Sequence, residues 1–208
     1  DAAQQQPAPL IQMKQLQPIT ITARVADLMQ HVVVGDPLDE ATQIGPVINA
    51  QQHARISSYA DLGRQNARLR TQSFDQPAGG LFIDPQVFDQ VKRDSELARD
   101  EIFGPLLSVI AVKDVQEAVA VANDTLYGLS SSVWTGSVEK ALRVAQGIDA
   151  GTVWVNTYLE GPAELPFGGF KQSGLGRENG RFATEEYTEL KSIVMRAGPR
   201  PSRYVSSK

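Results

Sequence analysis

Apolar residues along this chain change their period several times, and each change marks an element. The stretch "ITITARVADLMQHVVVGDPLD" begins at Ile19 with a short alternation and passes into an amphipathic turn or two ending before Gly35. Ile56, Tyr59, Ala60 and Leu62 recur at helical spacing, which predicts a helix from about Asn49 to Arg70. Asn49 suits its N-cap, because a short side-chain oxygen accepts from a backbone N–H that the first turn leaves unpaired. "GGLFIDPQVFDQV" reads as two short strands interrupted at Pro85, and the apolar run from Leu106 to Val112 reads as a strand buried on both faces.

The second half is more regular. Asp114 caps "VQEAVAVAND", where Val115, Ala118, Val119 and Ala122 share a face; "LSSSVWT" is strand-like; Ser137 caps "VEKALRVAQG"; "GTVWVN" is a further buried strand. Strand, helix, strand, helix, strand at these spacings predicts an α/β fold with a parallel βαβαβ sheet. A helix is expected from Arg177 to Thr184. "YTELKSIVMR" then alternates Tyr187, Glu189, Lys191 and Ile193 against Thr188, Leu190, Ser192 and Val194, as an exposed-edge or intersubunit strand does. The expected organisation is an extended or disordered arm over 1–18, with its six glutamines and three prolines, a folded segment over 19–185, a terminal strand over 186–198 and a tail over 199–208.

Composition narrows the chemistry. A hydrophobic share of 41% and a charged share of 21% are globular values, and a net charge of -4 offers no broad basic face for nucleic acid or anionic lipid. No apolar run has membrane-spanning length, and the opening "DAAQQQPAPL" lacks the basic and apolar regions of a signal peptide, so the expected location is cytoplasmic. The 208 residues contain no cysteine, which removes disulfides, thiolate-ligated zinc and a thiol nucleophile from within them. His31 and His53 are the two imidazoles, and no metal site is expected.

"PFGGFKQSGLGREN", Pro166 to Asn179, has the glycine density of a phosphate loop. It fails the G-x-x-x-x-G-K-[ST] template, since Leu175 and Gly176 follow Gly174. It also fails G-x-G-x-x-G, because Gly180 falls one residue late after Gly174 and Gly176.

Six blocks in order, "GDPLDEATQIGPVI", "GLFIDPQVF", "RDEIFGPLLSVI", "ANDTLYGLSSSVWT", "GTVWVNT" and "PFGGFKQSGLGRENG", resemble the C-terminal half of the NAD(P)-dependent aldehyde dehydrogenases, from about Val34 to Met195. The resemblance implies that family's catalytic-domain sheet plus an oligomerisation strand. It also implies oxidation of an aldehyde to an acid with NAD or NADP, through a cysteine thiolate and a glutamate-activated water. It places that cysteine at or just before Asp1, so the 208 residues alone are expected to be inactive. The alternative is a non-catalytic binding or assembly module of the same fold. Nothing in the first twenty residues suggests a serine nucleophile with a histidine partner.

Residue by residue, the resemblance implies that Glu101 accepts bonds from the nicotinamide ribose hydroxyls and that Phe103 lies beside the nicotinamide ring. Phe167 would line the aldehyde pocket. The loop "NTYLEGPAEL" is most similar to the betaine aldehyde dehydrogenase branch, where Tyr158 would face a quaternary ammonium and Glu160 would add complementary charge. Glu178 would belong to a proton relay, while Arg177 and Glu189 would form a structural pair near a dimer-facing region. A homodimer or tetramer is the expected assembly.

Overall fold

The computed structural model describes residues 18–77 and 79–198; the expected N-terminal arm and C-terminal tail lie outside them, apart from Pro18. The first helix, α1, spans Pro18–Met29, where an alternating strand start was expected. Proline is well suited to a first helical position, because its φ is preset and its missing N–H would have been unpaired there anyway. Thr22 and Ala26, one turn apart, are buried in this helix. The four residues I-T-I-T from Ile19 to Thr22 satisfy a strand period locally, but the longer helical register decides.

Helix α2 spans Ala50–Asn66, and the Asn49 side chain caps it by accepting from the Gln52 N–H. It ends before the expected Arg70 because Ala67 turns extended and Arg68–Leu69 become strand β1. β1 pairs antiparallel with β2, Gln86–Asp89, which pairs in parallel with β3, Leu106–Ser108. All four β2 residues are buried. Phe88 packs with Val91 and with Leu97 of the short helix α3, Glu96–Arg99, while Leu62 and Leu106 flank them. Full burial of such a side chain stabilises by roughly 1.5–3 kcal/mol. A second cluster joins Ile56, Ile83 and Ile102.

Two strand expectations need correction. "GGLFIDPQVFDQV" holds one strand, since the part before Pro85 makes no ladder, and the Leu106 to Val112 run is strand over three residues only. Leu107 is exposed, so β3 is not covered on both faces. Beyond Val109, whose N–H donates to the Phe88 carbonyl, the chain leaves the sheet.

Helix α4, Val115–Asn123, is capped by Asp114, and helix α5, Val138–Gly147, is capped by Ser137, both as expected. Ala122, assigned to the apolar face of α4, is exposed. α5 connects β5, Ser130–Val133, to β6, Thr152–Val155, and these two strands pair in parallel from Ser130↔Thr152 to Val133↔Val155. The α/β class with parallel βαβ construction is therefore present. The continuous βαβαβ sheet is not, because β3 and β5 belong to separate sheets. A third pairing joins β4, Tyr127–Gly128, antiparallel to β7, Phe170–Lys171.

The helix expected over Arg177–Thr184 is instead a loop followed by the short α6, Ala183–Glu186. Residues 187–197 carry no strand ladder among the described residues, and Leu190, Val194 and Met195 are almost fully exposed. No helix of the described residues is long and apolar enough to cross a membrane.

Candidate active-site surface

The Gly-rich loop owes its shape to backbone contacts. Phe167 and Glu178 form an antiparallel bridge in which each N–H donates to the other's carbonyl, at 2.8 and 2.7 Å. The Arg177 guanidinium, half-buried inside the loop, donates to the Gly169 carbonyl at 3.1 Å and the Gly176 carbonyl at 2.6 Å, and lies 5.4 Å from the Phe170 ring centre. Glu189 is exposed in the segment after α6, and no Arg177–Glu189 pair forms within the chain. One glycine is dictated by packing: a Cβ on Gly151, at the start of β6, would overlap the Gly168 carbonyl oxygen.

Phe167, Arg177 and Glu178 line one cavity of about 350 Å³ together with Leu129, Ser173 and Tyr187. Leu129 and Ser173 also line a larger cleft of about 600 Å³, which Glu101 borders along with Asp100 and Ser131. The two depressions thus share a wall, with the proposed relay acid on one side and the proposed cofactor acid on the other. Tyr158, Glu160, Phe103 and Glu189 line neither.

Tyr158 and Glu160 sit where the chain leaves the C-terminal end of β6, the end at which parallel sheets collect ligands. Asn156 bonds Thr135 in both directions across the ends of the two parallel strands, its Oδ1 accepting from the Thr135 N–H at 2.8 Å and its Nδ2 donating to the Thr135 carbonyl at 3.0 Å. Trp154 Nε1 donates to the Glu160 carbonyl at 2.6 Å, and the Trp154 and Tyr158 rings meet edge to face with centres 5.3 Å apart. The Tyr158 ring stays 57% exposed. An exposed aromatic side chain is suited to a cationic ligand.

Glu101 and Phe103 are both exposed, and Phe103 holds a left-handed backbone, φ 54°, which non-glycine residues seldom adopt. The acceptor-only carboxylate matches a vicinal diol, and the open phenyl ring matches a flat heterocycle, so these residues fit a nicotinamide riboside. What fixes them comes from α2. Arg55 donates to the Ile102 carbonyl at 2.5 Å and to the Glu101 carbonyl at 2.7 Å; Gln52 Nε2 donates to the Ile102 and Phe103 carbonyls, each at 3.1 Å; Tyr59 Oη donates to Asp100 Oδ2 at 2.6 Å. Sequence reasoning missed these three residues. Their spacing along α2 beside the buried Ile56 was the available signal.

Hydrogen bonding to Asp100, then partial burial, then the Asp100 charge raise the Tyr59 phenol above its ordinary range. At the rim of the larger cleft, hydrogen bonds from Arg93 and Arg99 hold the exposed Asp124 carboxyl below its ordinary range. Both histidines bond backbone carbonyls, His31 that of Asp27 and His53 that of Phe82, and no group of metal-ligating side chains occurs among the described residues.

The aldehyde dehydrogenase family matches residues 14–193, and the chain belongs to it. Among curated relatives, the betaine aldehyde dehydrogenase of Brucella anthropi is 42% identical over 189 residues, covering 87% of this chain and 38% of the relative. Betaine aldehyde dehydrogenase 1 of Rhizobium meliloti is 44% identical over 186 residues, covering 88% and 38%. A solved Staphylococcus aureus betaine aldehyde dehydrogenase in complex with NAD+ superposes with a TM-score of 0.79 at 32% identity, over 88% of this chain and 38% of that one. A Mycobacterium tuberculosis aldehyde dehydrogenase complexed with NAD+ gives 0.77 at 40% identity, over 87% and 38%. The chain thus spans 38% of the length of these curated relatives.

Proposed function

We propose that these residues form the pocket-wall and nicotinamide-side portion of an enzyme that oxidises an aldehyde to a carboxylic acid with NAD(P)+. The braced Glu101–Phe103 turn carries this reading, since an exposed carboxylate and aromatic held at fixed spacing suit the ribose and ring of a nicotinamide nucleotide. When bound, that cofactor accepts a hydride. In this reading Phe167 supplies apolar wall and Glu178 a proton relay at the smaller cavity, while Tyr158 and Glu160, outside that cavity on the loop after β6, supply an aromatic and a negative charge. The nucleophile is expected from another part of the enzyme, because the 208 residues contain no cysteine.

The substrate we propose is a trimethylammonium aldehyde of the betaine aldehyde type. The exposure of Tyr158 and the nearby Glu160 support it, as does the similarity to betaine aldehyde dehydrogenases. Exposed apolar side chains in residues 187–195, which join no strand ladder within the chain, support assembly into a homodimer or tetramer through this segment. The test is production of reduced nicotinamide by the full-length enzyme with betaine aldehyde and with its neutral carbon isostere. A clear preference for the cation is expected; equal efficiency rejects charge recognition, and no turnover of either aldehyde rejects the assignment.

A further inference from the structure

We propose that Asn179 is a modification site: its side-chain amide is lost as ammonia through attack by the Gly180 backbone nitrogen, and opening of the loop that carries Ala163 sets the rate.

The chain has five asparagines, and four of them are tied. Asn49 accepts from the Gln52 N–H, Asn66 donates to the Leu62 carbonyl, Asn123 bonds the backbone of Gly147 and Asp149, and Asn156 bonds Thr135 through both ends of its amide. Each is also followed by a residue with a side chain, in turn Ala50, Ala67, Asp124 and Thr157. Asn179 differs on both counts. It is exposed, no hydrogen bond among the described residues engages its carboxamide, and glycine follows it.

The step needs no co-reactant except water. The Gly180 nitrogen gives up its proton and bonds Asn179 Cγ; the Cγ–Nδ2 bond breaks, and Nδ2 takes that proton and leaves as ammonia. Water then opens the five-membered imide at either carbonyl, which leaves aspartate or its β-linked isomer at position 179. A side chain on the following residue obstructs ring closure, and glycine has none.

In the folded chain the attacking nitrogen is occupied. The Gly180 N–H donates to the Ala163 carbonyl at 3.0 Å, and an added Cβ on Gly180 would overlap the Glu164 carbonyl oxygen, so the two backbones lie in contact. Asn179 and Gly180 hold φ of 62° and 58°, a left-handed pair that these two residue types tolerate best. Ala163 sits on the loop after β6, whose start is held by the Trp154 indole on the Glu160 carbonyl. Attack therefore waits for this loop to lift, a local opening that costs less than global unfolding.

The product forms at a sensitive place. Glu178, next to Asn179, pairs with Phe167 at the neck of the glycine-rich loop. A β-linked residue inserts one backbone carbon between the Glu178 and Gly180 bonds, so the neck and the Ala163 contact lose their common register.

The test incubates the full-length enzyme in mildly alkaline buffer, native and in urea, and follows each asparagine by peptide mass spectrometry. In urea Asn179 should convert first of the five. In the native protein it should still convert, slowed roughly 10-fold or more, and hydrogen exchange of the Gly180 amide should be protected by the same factor, because both need the same opening. Trp154→Phe should speed native conversion roughly 2- to 10-fold, and Asn179→Gln should abolish the product. Should Trp154→Phe not fold, the match between conversion and exchange in the parent decides. Equal rates in native buffer and urea, no conversion at Asn179 in the native protein, or a Gly180 protection that does not match the slowing, overturns the inference.

Discussion

Phe167 and Glu178 are joined by two backbone hydrogen bonds, 2.8 and 2.7 Å long, that close the glycine-rich loop at its neck. The side chain assigned to the aldehyde wall and the one assigned to proton transfer therefore move as one unit. Closing the neck also presses the Gly168 carbonyl against Gly151 at the start of β6. Gly151→Ala should destabilise the fold by about 1–3 kcal/mol, because the obstacle is backbone that cannot swing aside. Gly136→Ala, where an added Cβ meets only open space, is the control and should be neutral or slightly stabilising. Urea denaturation of both checks this, and equal midpoints would remove the close approach.

The bond from Tyr59 to Asp100 gives a pH signature. The folded-state pKa of this phenol lies above the unfolded value of about 10. Its stabilising contribution is therefore fully present below about pH 10 and is lost as pH rises through the folded value. Tyrosinate absorbance of the parent minus that of Tyr59→Phe should show one phenol titrating later than an exposed tyrosine. A difference curve centred on the ordinary value would mean that the Asp100 bond does not persist in solution.

The Trp154 indole N–H fixes the loop that carries Tyr158 and Glu160. Trp154→Phe keeps an aromatic ring but leaves the Glu160 carbonyl without this donor. A loss of roughly 0.5–1.5 kcal/mol is expected, in line with one neutral hydrogen bond. A rise in KM for the cationic aldehyde with kcat nearly unchanged should accompany it if, as proposed, the loop meets the substrate away from the reacting carbon. A fall in kcat at constant KM would contradict that placement.

Local chemistry explains which features were legible in the sequence. Asn49, Asp114 and Ser137 were readable as N-caps because the cap bonds an N–H three positions on, and each does so. The bounds of α5 followed from its own apolar spacing. The partners of α2 were not readable, because its donors reach carbonyls 46 to 51 positions along the chain. The partners that Arg177 has within the chain were not readable either, because loop closure is what brings the carbonyls of Gly169 and Gly176 to its guanidinium. The Leu106 to Val112 run promised a long strand since apolar content does not report where a neighbouring strand ends, and β2 is only four residues long.

The segment after α6 provides the last prediction. Leu190 and Val194 lie on one face of the alternating pattern and are 105% and 94% exposed, while Tyr187 and Ile193 on the other face are 84% and 78% exposed. Exposed apolar side chains on an unpaired backbone edge are costly in water and are covered when a second strand pairs with them. Replacing both Leu190 and Val194 by lysine puts like charges on that face of each copy and removes the apolar area that pairing would bury. Sedimentation at equal protein concentration should show the doubly substituted protein shifted toward monomer, with its far-UV dichroism unchanged because Leu190 and Val194 are almost fully exposed within their own chain. Glu189→Lys, on the opposite face, should weaken assembly or NAD+ affinity more than the chemical step. An unaltered mass distribution for both proteins, with NAD+ affinity retained, would mean that this edge is not the assembly surface.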